Sequence, residues 1–184
     1  MLLYPLSIYS GSTSGKPPAN LSECEIMLIG VNPILTGDLL KVLSDMGHGD
    51  EIVIADGNFA AEGDSTRRPP IWVPSDNTVE VLGAILKFLP VDDSLGAVRY
   101  IVESVDEGEK DDEEPLPAAA TLPAPFFGWA GMKIIQVEPL GRMDFHEVAK
   151  KAYAIVATVD PRHYFCYVVR KGALPDPTAE RSST

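Results

Sequence analysis

Two spacings of apolar residues alternate along this chain, and the switches between them outline its elements. From Thr36 the spacing is helical, with Leu39, Leu40, Leu43 and Met46 three and four positions apart. Thr36 can cap that helix, Asp38 lies in the positively polarised first turn, and Gly47 is a natural terminator in left-handed conformation. Residues 52–55 form a short β-branched run, as expected of a strand buried on both faces. Residues 57–70, rich in Gly, Arg, Asp and Pro, predict a surface loop, and 71–73 a short strand. Helical spacing returns through Val79, Leu82, Ile85, Leu86 and Leu89, predicting a helix over 78–89 closed by Pro90. Strands are predicted at 98–102 and 133–137 and a helix at 142–153, with Phe145, Val148, Ala149 and Ala152 on one face. Two β-rich runs, 154–159 and 164–170, follow. Helices alternating with short apolar strands imply an α/β layered domain.

Three stretches break the periodicity. Residues 1–25 mix Ser, Gly, Pro and Tyr and read as a flexible tail; 175–184 read as a polar one. Residues 106–129 join an acidic run, DEGEKDDEE, to a Pro/Ala run and read as a solvated insertion. One domain over 26–174, carrying that insertion, is the organisation this predicts.

Composition narrows the partners. A net charge of −12 argues against nucleic acid and anionic membranes, both of which need a basic face. About half of that excess belongs to the acidic run, so the folded body is only mildly acidic. No apolar run approaches the roughly 18 residues of a membrane span, and no signal peptide is recognisable. Cys24 and Cys166 are too far apart for a zinc motif and too few for a disulfide framework, which predicts a reducing, cytoplasmic setting.

The chemistry-bearing residues cluster around two segments. In MGHGDEIVIAD, His48 stands between two glycines after the first helix, and Asp56 closes the following strand. That layout predicts delivery of both side chains to one edge of a sheet, as proton donor and acceptor for a small polar substrate. A capping histidine and an aspartate closing its own turn are the plainer alternatives. Arg142 opens a helix at the end where its charge is unfavourable, His146 lies one turn further on the same face, and Tyr164 opens the last strand. Each is also compatible with a structural role. The histidines form no H-E-x-x-H pattern or i,i+4 pair, and no P-loop, G-x-G-x-x-G or G-x-S-x-G is present, so neither metal nor nucleotide cofactor is expected.

The run NPILTGDLLKVLSDMGHGDEIVIADGNF resembles the start of the fucose mutarotase and ribose pyranase family, closer to its fucose branch. GRMDFHEVAKKAYAIVATVDPRHYFCYVVRKG resembles its C-terminal part, and together the two cover about half of the chain. The resemblance implies a ribose pyranase-like domain, a mixed central sheet with flanking helices. It implies a cofactor-independent isomerase of the racemase and epimerase class, interconverting α and β anomers of a reducing monosaccharide, L-fucose or a related sugar. A ribose pyranase, or a catalytically silent sugar-binding protein on the same fold, are the alternatives it leaves. By resemblance His48 is the catalytic histidine and Tyr164 opens the last sugar-binding segment; the chemistry of ring opening makes Tyr164 the expected second proton-transfer group. Asp56 and Arg142 match sugar-contacting residues, and His146 and Cys166 are expected to bind substrate with them. Three positions depart from the family: Phe165-Cys166 replaces Gly-Asn after Tyr164, and His146 replaces a common tyrosine. Family members form homo-oligomers, often rings, with sites near subunit boundaries, so a homo-oligomer is expected here.

Overall fold

The computed structural model describes residues 28–65, 67–92, 96–102 and 137–174. Both expected tails, the insertion at 106–129 and residues 133–136 of an expected strand lie outside the described residues. Within them the chain runs α1 (Gly37–Asp45), β1 (Glu51–Ala55), α2 (Ala61–Asp64), β2 (Ile71–Trp72) and α3 (Thr78–Leu86). It continues through β3 (Val98–Val102), β4 (Val137–Gly141), α4 (Arg142–Lys151), β5 (Ala154–Ala157) and β6 (Tyr167–Arg170).

The six strands form one sheet in the order β2-β5-β1-β6-β3-β4. β1 and β2 both run parallel to β5, β3 runs parallel to β4, and β6 is antiparallel to β1 and β3. Five strands therefore share a direction and one opposes them, which is the mixed sheet anticipated. Period-two alternation buries both faces. Ile52 and Ile54 of β1, with Tyr167 and Val169 of β6, pack against Leu39, Val42 and Leu43 of α1 and Val81, Leu82 and Ile85 of α3. Val53 and Ala55, with Cys166 and Val168, pack on the other face against Ala61 of α2 and Phe145 and Ala149 of α4.

Several boundaries differ from expectation for local reasons. Thr36 does cap α1, its hydroxyl accepting from the Leu39 amide. The left-handed glycine is Gly49 (φ +86°) and not Gly47, whose amide is taken by the Asp50 carboxylate at 2.8 Å. The loop at 57–70 contains the single turn α2, which Ala61 anchors in the core. α3 ends at Leu86, although Leu89 remains buried. Among the described residues β4, with Pro139 inside it, is an edge strand paired only to β3, the position where a missing amide costs no ladder bond. β6 begins three residues late because Tyr164 adopts φ +60°, which no strand accommodates.

Asp160, fully buried just beyond β5, ties the sheet to α3. Its Oδ2 accepts from the Thr78 amide (2.9 Å), the Thr78 hydroxyl (3.0 Å) and Arg162 (2.6 Å), while Oδ1 accepts from Arg162 Nε (2.8 Å). Burial alone would raise this carboxyl, but the bonds from Arg162 and Thr78 outweigh it and hold it down to about 2. A carboxylate depressed in the folded state stabilises above its ordinary pKa of 3.8, and that contribution fades as pH falls from there toward 2. Asp160→Asn should destabilise the protein by about 1–3 kcal/mol at pH 7. In denaturant titrations the gap to the native protein should narrow between pH 4 and pH 2, roughly the window set by the two ionisations.

Candidate functional site

Strand polarity decides which residues can meet. The carboxyl ends of the parallel strands all open at one end of the sheet, and the antiparallel β6 starts there. In open α/β sheets this is the end where ligand crevices form. Asp56 follows β1 at this end, Arg142 follows β4, and Tyr164-Phe165-Cys166 leads into β6.

Asp56 is buried, 5% exposed, and its carboxylate ties three segments together. Oδ1 accepts from the Asn58 amide at 2.8 Å, closing its own turn, and Oδ2 accepts from the Phe165 amide at 3.2 Å. The Cys166 thiol donates to the same Oδ2 at 3.3 Å, and the Asp56 amide donates back to Cys166 Sγ at 3.3 Å. Burial, reinforced by the Asp56 charge, pushes the Cys166 thiol well above its usual range. It therefore stays protonated and remains a donor to the carboxylate. Cys166 is 1% exposed, so the expectation that it contacts substrate is not met: its thiol is buried and bonded to Asp56.

Tyr164 lies half-buried against the cluster that contains Phe145 and Cys166. Its φ of +60° is uncommon for a residue with a Cβ and costs about 1–3 kcal/mol. The Asp56–Phe165 bond on the adjoining residue helps to hold that conformation. Beside it, Arg162 lies with its guanidinium 3.9 Å over the Phe165 ring.

Arg142, exposed, is the first residue of α4, and His146 is one turn further along it. The His146 imidazole is stacked on Phe59, with centroids 5.0 Å apart and planes 11° apart, and its Nδ1 is bonded to Asp64 Oδ2. Phe59 belongs to the turn that Asp56 begins, its amide donating to the Asp56 carbonyl.

His48 is elsewhere. It precedes β1, whereas Asp56 follows it, so a five-residue strand about 17 Å long separates them. The expectation that both reach one sheet edge is not met within a single chain, because residues flanking a strand emerge at its opposite ends. The His48 side chain is 64% exposed, and its Nε2 lies 3.1 Å from Asp92 Oδ2. Lys171 fixes the turn that carries it by donating to the carbonyls of Leu43 (2.9 Å) and Met46 (2.6 Å) at the end of α1.

The structure thus gathers Asp56, Arg142, His146, Tyr164 and Cys166 at one end of the sheet and His48 at the other. Asp64 and Phe59 were not singled out in the sequence. Asp64 meets His146 across 82 positions, a pairing that no local pattern announces. A carboxylate, a phenol, a guanidinium and an imidazole on one rim suit a small ligand rich in hydroxyls. Among the described residues, no group of three or more His, Cys, Asp or Glu could hold a metal ion.

A family profile described as the RbsD / FucU transport protein family matches residues 29–174. A fucose mutarotase of Danio rerio is 33% identical over 160 residues, spanning 82% of this chain and 96% of the relative. A fucose mutarotase of Homo sapiens is 35% identical over 152 residues, spanning 81% and 96%. Among solved structures, the fucose mutarotase of Streptococcus pneumoniae in complex with L-fucose matches with a TM-score of 0.63 at 31% identity. That likeness covers 80% of this chain and 99% of the other.

Because the Asp56 carboxylate satisfies three partners, Asp56→Ala should destabilise the fold by about 2 kcal/mol. Asp56→Asn, which keeps acceptor oxygen for two of them, should cost less than half as much. Urea titration of both variants checks the order.

Proposed function

We propose that this chain, which belongs to the RbsD / FucU family, accelerates exchange between the α and β anomers of a reducing monosaccharide, L-fucose or a related sugar. The observation that carries this reading is the rim at the carboxyl ends of the parallel strands. It holds Asp56, Tyr164 and Arg142 in a chain whose relatives at 33% and 35% identity are fucose mutarotases.

The chemistry asks little beyond positioned donors and acceptors. One group removes the proton of the anomeric hydroxyl as the bond from the anomeric carbon to the ring oxygen breaks. Another group protonates that ring oxygen. The free aldehyde rotates, and the same two transfers in reverse close the ring on either face. No electrons are exchanged with a redox partner and no group is transferred, so the reading requires no cofactor. Each well-placed proton-transfer group contributes roughly 10²–10⁴-fold. Tyr164 is one such group here and His48 the other. Asp56 and Arg142 bind hydroxyls, and Cys166 acts by holding Asp56.

His48 can serve this rim only from a second copy of the chain, since its own lies a strand length away. The reading therefore includes a homo-oligomer in which the amino end of β1 in one copy meets the carboxyl end in another. The reading includes a cytoplasmic setting, with which the unpaired thiol of Cys166 agrees.

Saturation-exchange NMR on L-fucose and D-ribose tests the activity and its sugar. Acceleration of fucose exchange is expected. Binding without acceleration would instead favour a silent sugar-binding protein. His48→Ala should slow the exchange by roughly 10²–10⁴-fold. When His48→Ala and Tyr164→Phe chains are mixed and reassembled, about a quarter of the sites should combine two intact residues if pairing is random. Activity should return in the mixture, and its failure to return would refute the shared site.

A further inference from the structure

The pair Asp64–His146 is not needed by the fold in any obvious way. α2 is a single turn already anchored by Ala61, and α4 is seated by Phe145 and Ala149. Yet the imidazole is constrained in three respects. Phe59 covers one ring face, and the adjoining Phe145 meets Phe59 edge-on with centroids 5.6 Å apart. Asp64, only 10% exposed at its side chain, takes the Nδ1 edge. The His146 side chain nevertheless keeps 29% of its surface open.

A carboxylate accepts and does not donate, so its partner nitrogen carries the proton. In the neutral ring, Nδ1–H directed at Asp64 leaves Nε2 with its lone pair, the form in which an imidazole accepts a proton from a ligand. A carboxylate that orients an imidazole in this way is the arrangement by which hydrolytic triads prepare their base. The ring's place is also right. Its stacking partner Phe59 is three residues past Asp56, and Arg142 lies one helical turn away, about 5–6 Å along the same face of α4.

We propose that His146, rather than Tyr164, is the rim's proton-transfer group, with the Tyr164 phenol left to bind a sugar hydroxyl, and that Asp64 is the residue that positions His146; the proposal rests on the mutarotase reading above. Nε2 removes the anomeric hydroxyl proton as the ring bond breaks, and the electron pair of that bond goes to the ring oxygen, which takes a proton from the opposing donor. On closure the proton returns from Nε2 to the anomeric oxygen, so protons and electrons balance over the cycle. A single chain then carries its own base at the rim, and the second copy is required only for the opposing donor.

His146→Phe tests the first half, because it preserves a ring to stack on Phe59 and removes both nitrogens. Saturation-exchange NMR over a range of L-fucose concentrations should show kcat down by roughly 10²-fold or more, KM little changed and the denaturation midpoint retained. Asp64→Asn tests the second half. An amide can face Nδ1 with either its oxygen or its nitrogen, so nitrogen-15 spectra should show the Nδ1–H tautomer in the native protein and a mixture in the variant, with a loss of kcat. A native protein that does not accelerate exchange would sink the mutarotase reading and this role with it. A native protein that does, alongside His146→Phe with undiminished kcat, would overturn this role alone and leave the pair as a tie between α2 and α4. An unchanged tautomer in Asp64→Asn would remove the positioning role from Asp64.

Discussion

One reversed strand organises this molecule. β6 lies between β1 and β3, antiparallel to both, while every other strand among the described residues runs the same way. Its first residues must therefore lie beside the last residues of its neighbours. That constraint brings Tyr164, Phe165 and Cys166 against Asp56, more than a hundred positions earlier in sequence. Were β6 parallel, the same segment would emerge at the end of the sheet where His48 stands, a strand length away from Asp56.

The residues at this junction hold the structure, and the proposed chemistry draws on the same groups. Asp56 holds its own turn and the Phe165 amide, so its oxygens have fixed directions before any ligand arrives. Cys166 gives that carboxylate a weak, uncharged donor from below, which orients an oxygen without forming an ion pair. Tyr164 stores strain in its backbone, and the bonds around it keep the phenol from relaxing into the strand. A few hydrogen bonds of about 1 kcal/mol each are of the right size to oppose strain of 1–3 kcal/mol. Asp160 works in the same way nearby, fixing the first turn of α3 and its own loop through one buried charge.

Much of the scaffold was legible because it is local. The spacing of Leu39, Leu43 and Met46, the cap at Thr36 and the run at 52–55 each dictate an element through neighbours a few positions apart. β4 was harder, since Pro139 and Gly141 carry no strand signal and only pairing to β3 makes them one. α2 was illegible for a related reason: one turn is too short to show a period, and its place is set by burial of Ala61. The site divides the same way. The residue types at 56, 142, 146 and 164 could be picked out, but their grouping follows from strand order. The same ignorance of direction put His48 beside Asp56, when a strand between two residues carries them apart.

Ring opening asks for a base on one side of the sugar and an acid on the other, with little else between them. One end of a single sheet supplies groups from one side only, because every side chain on the rim approaches from the protein below. Phe59, His146, Tyr164 and Arg142 all belong to that rim, whereas the turn carrying His48 is held at the far end by Lys171 and Asp92. An exposed imidazole on a glycine-flanked turn, rigidly held at its base, is better formed to reach into a neighbour than to fold back on its own sheet. The proposed homo-oligomer would answer a geometric demand of the reaction: a small sugar needs a second wall, and another copy of the chain would present one with a histidine already on it.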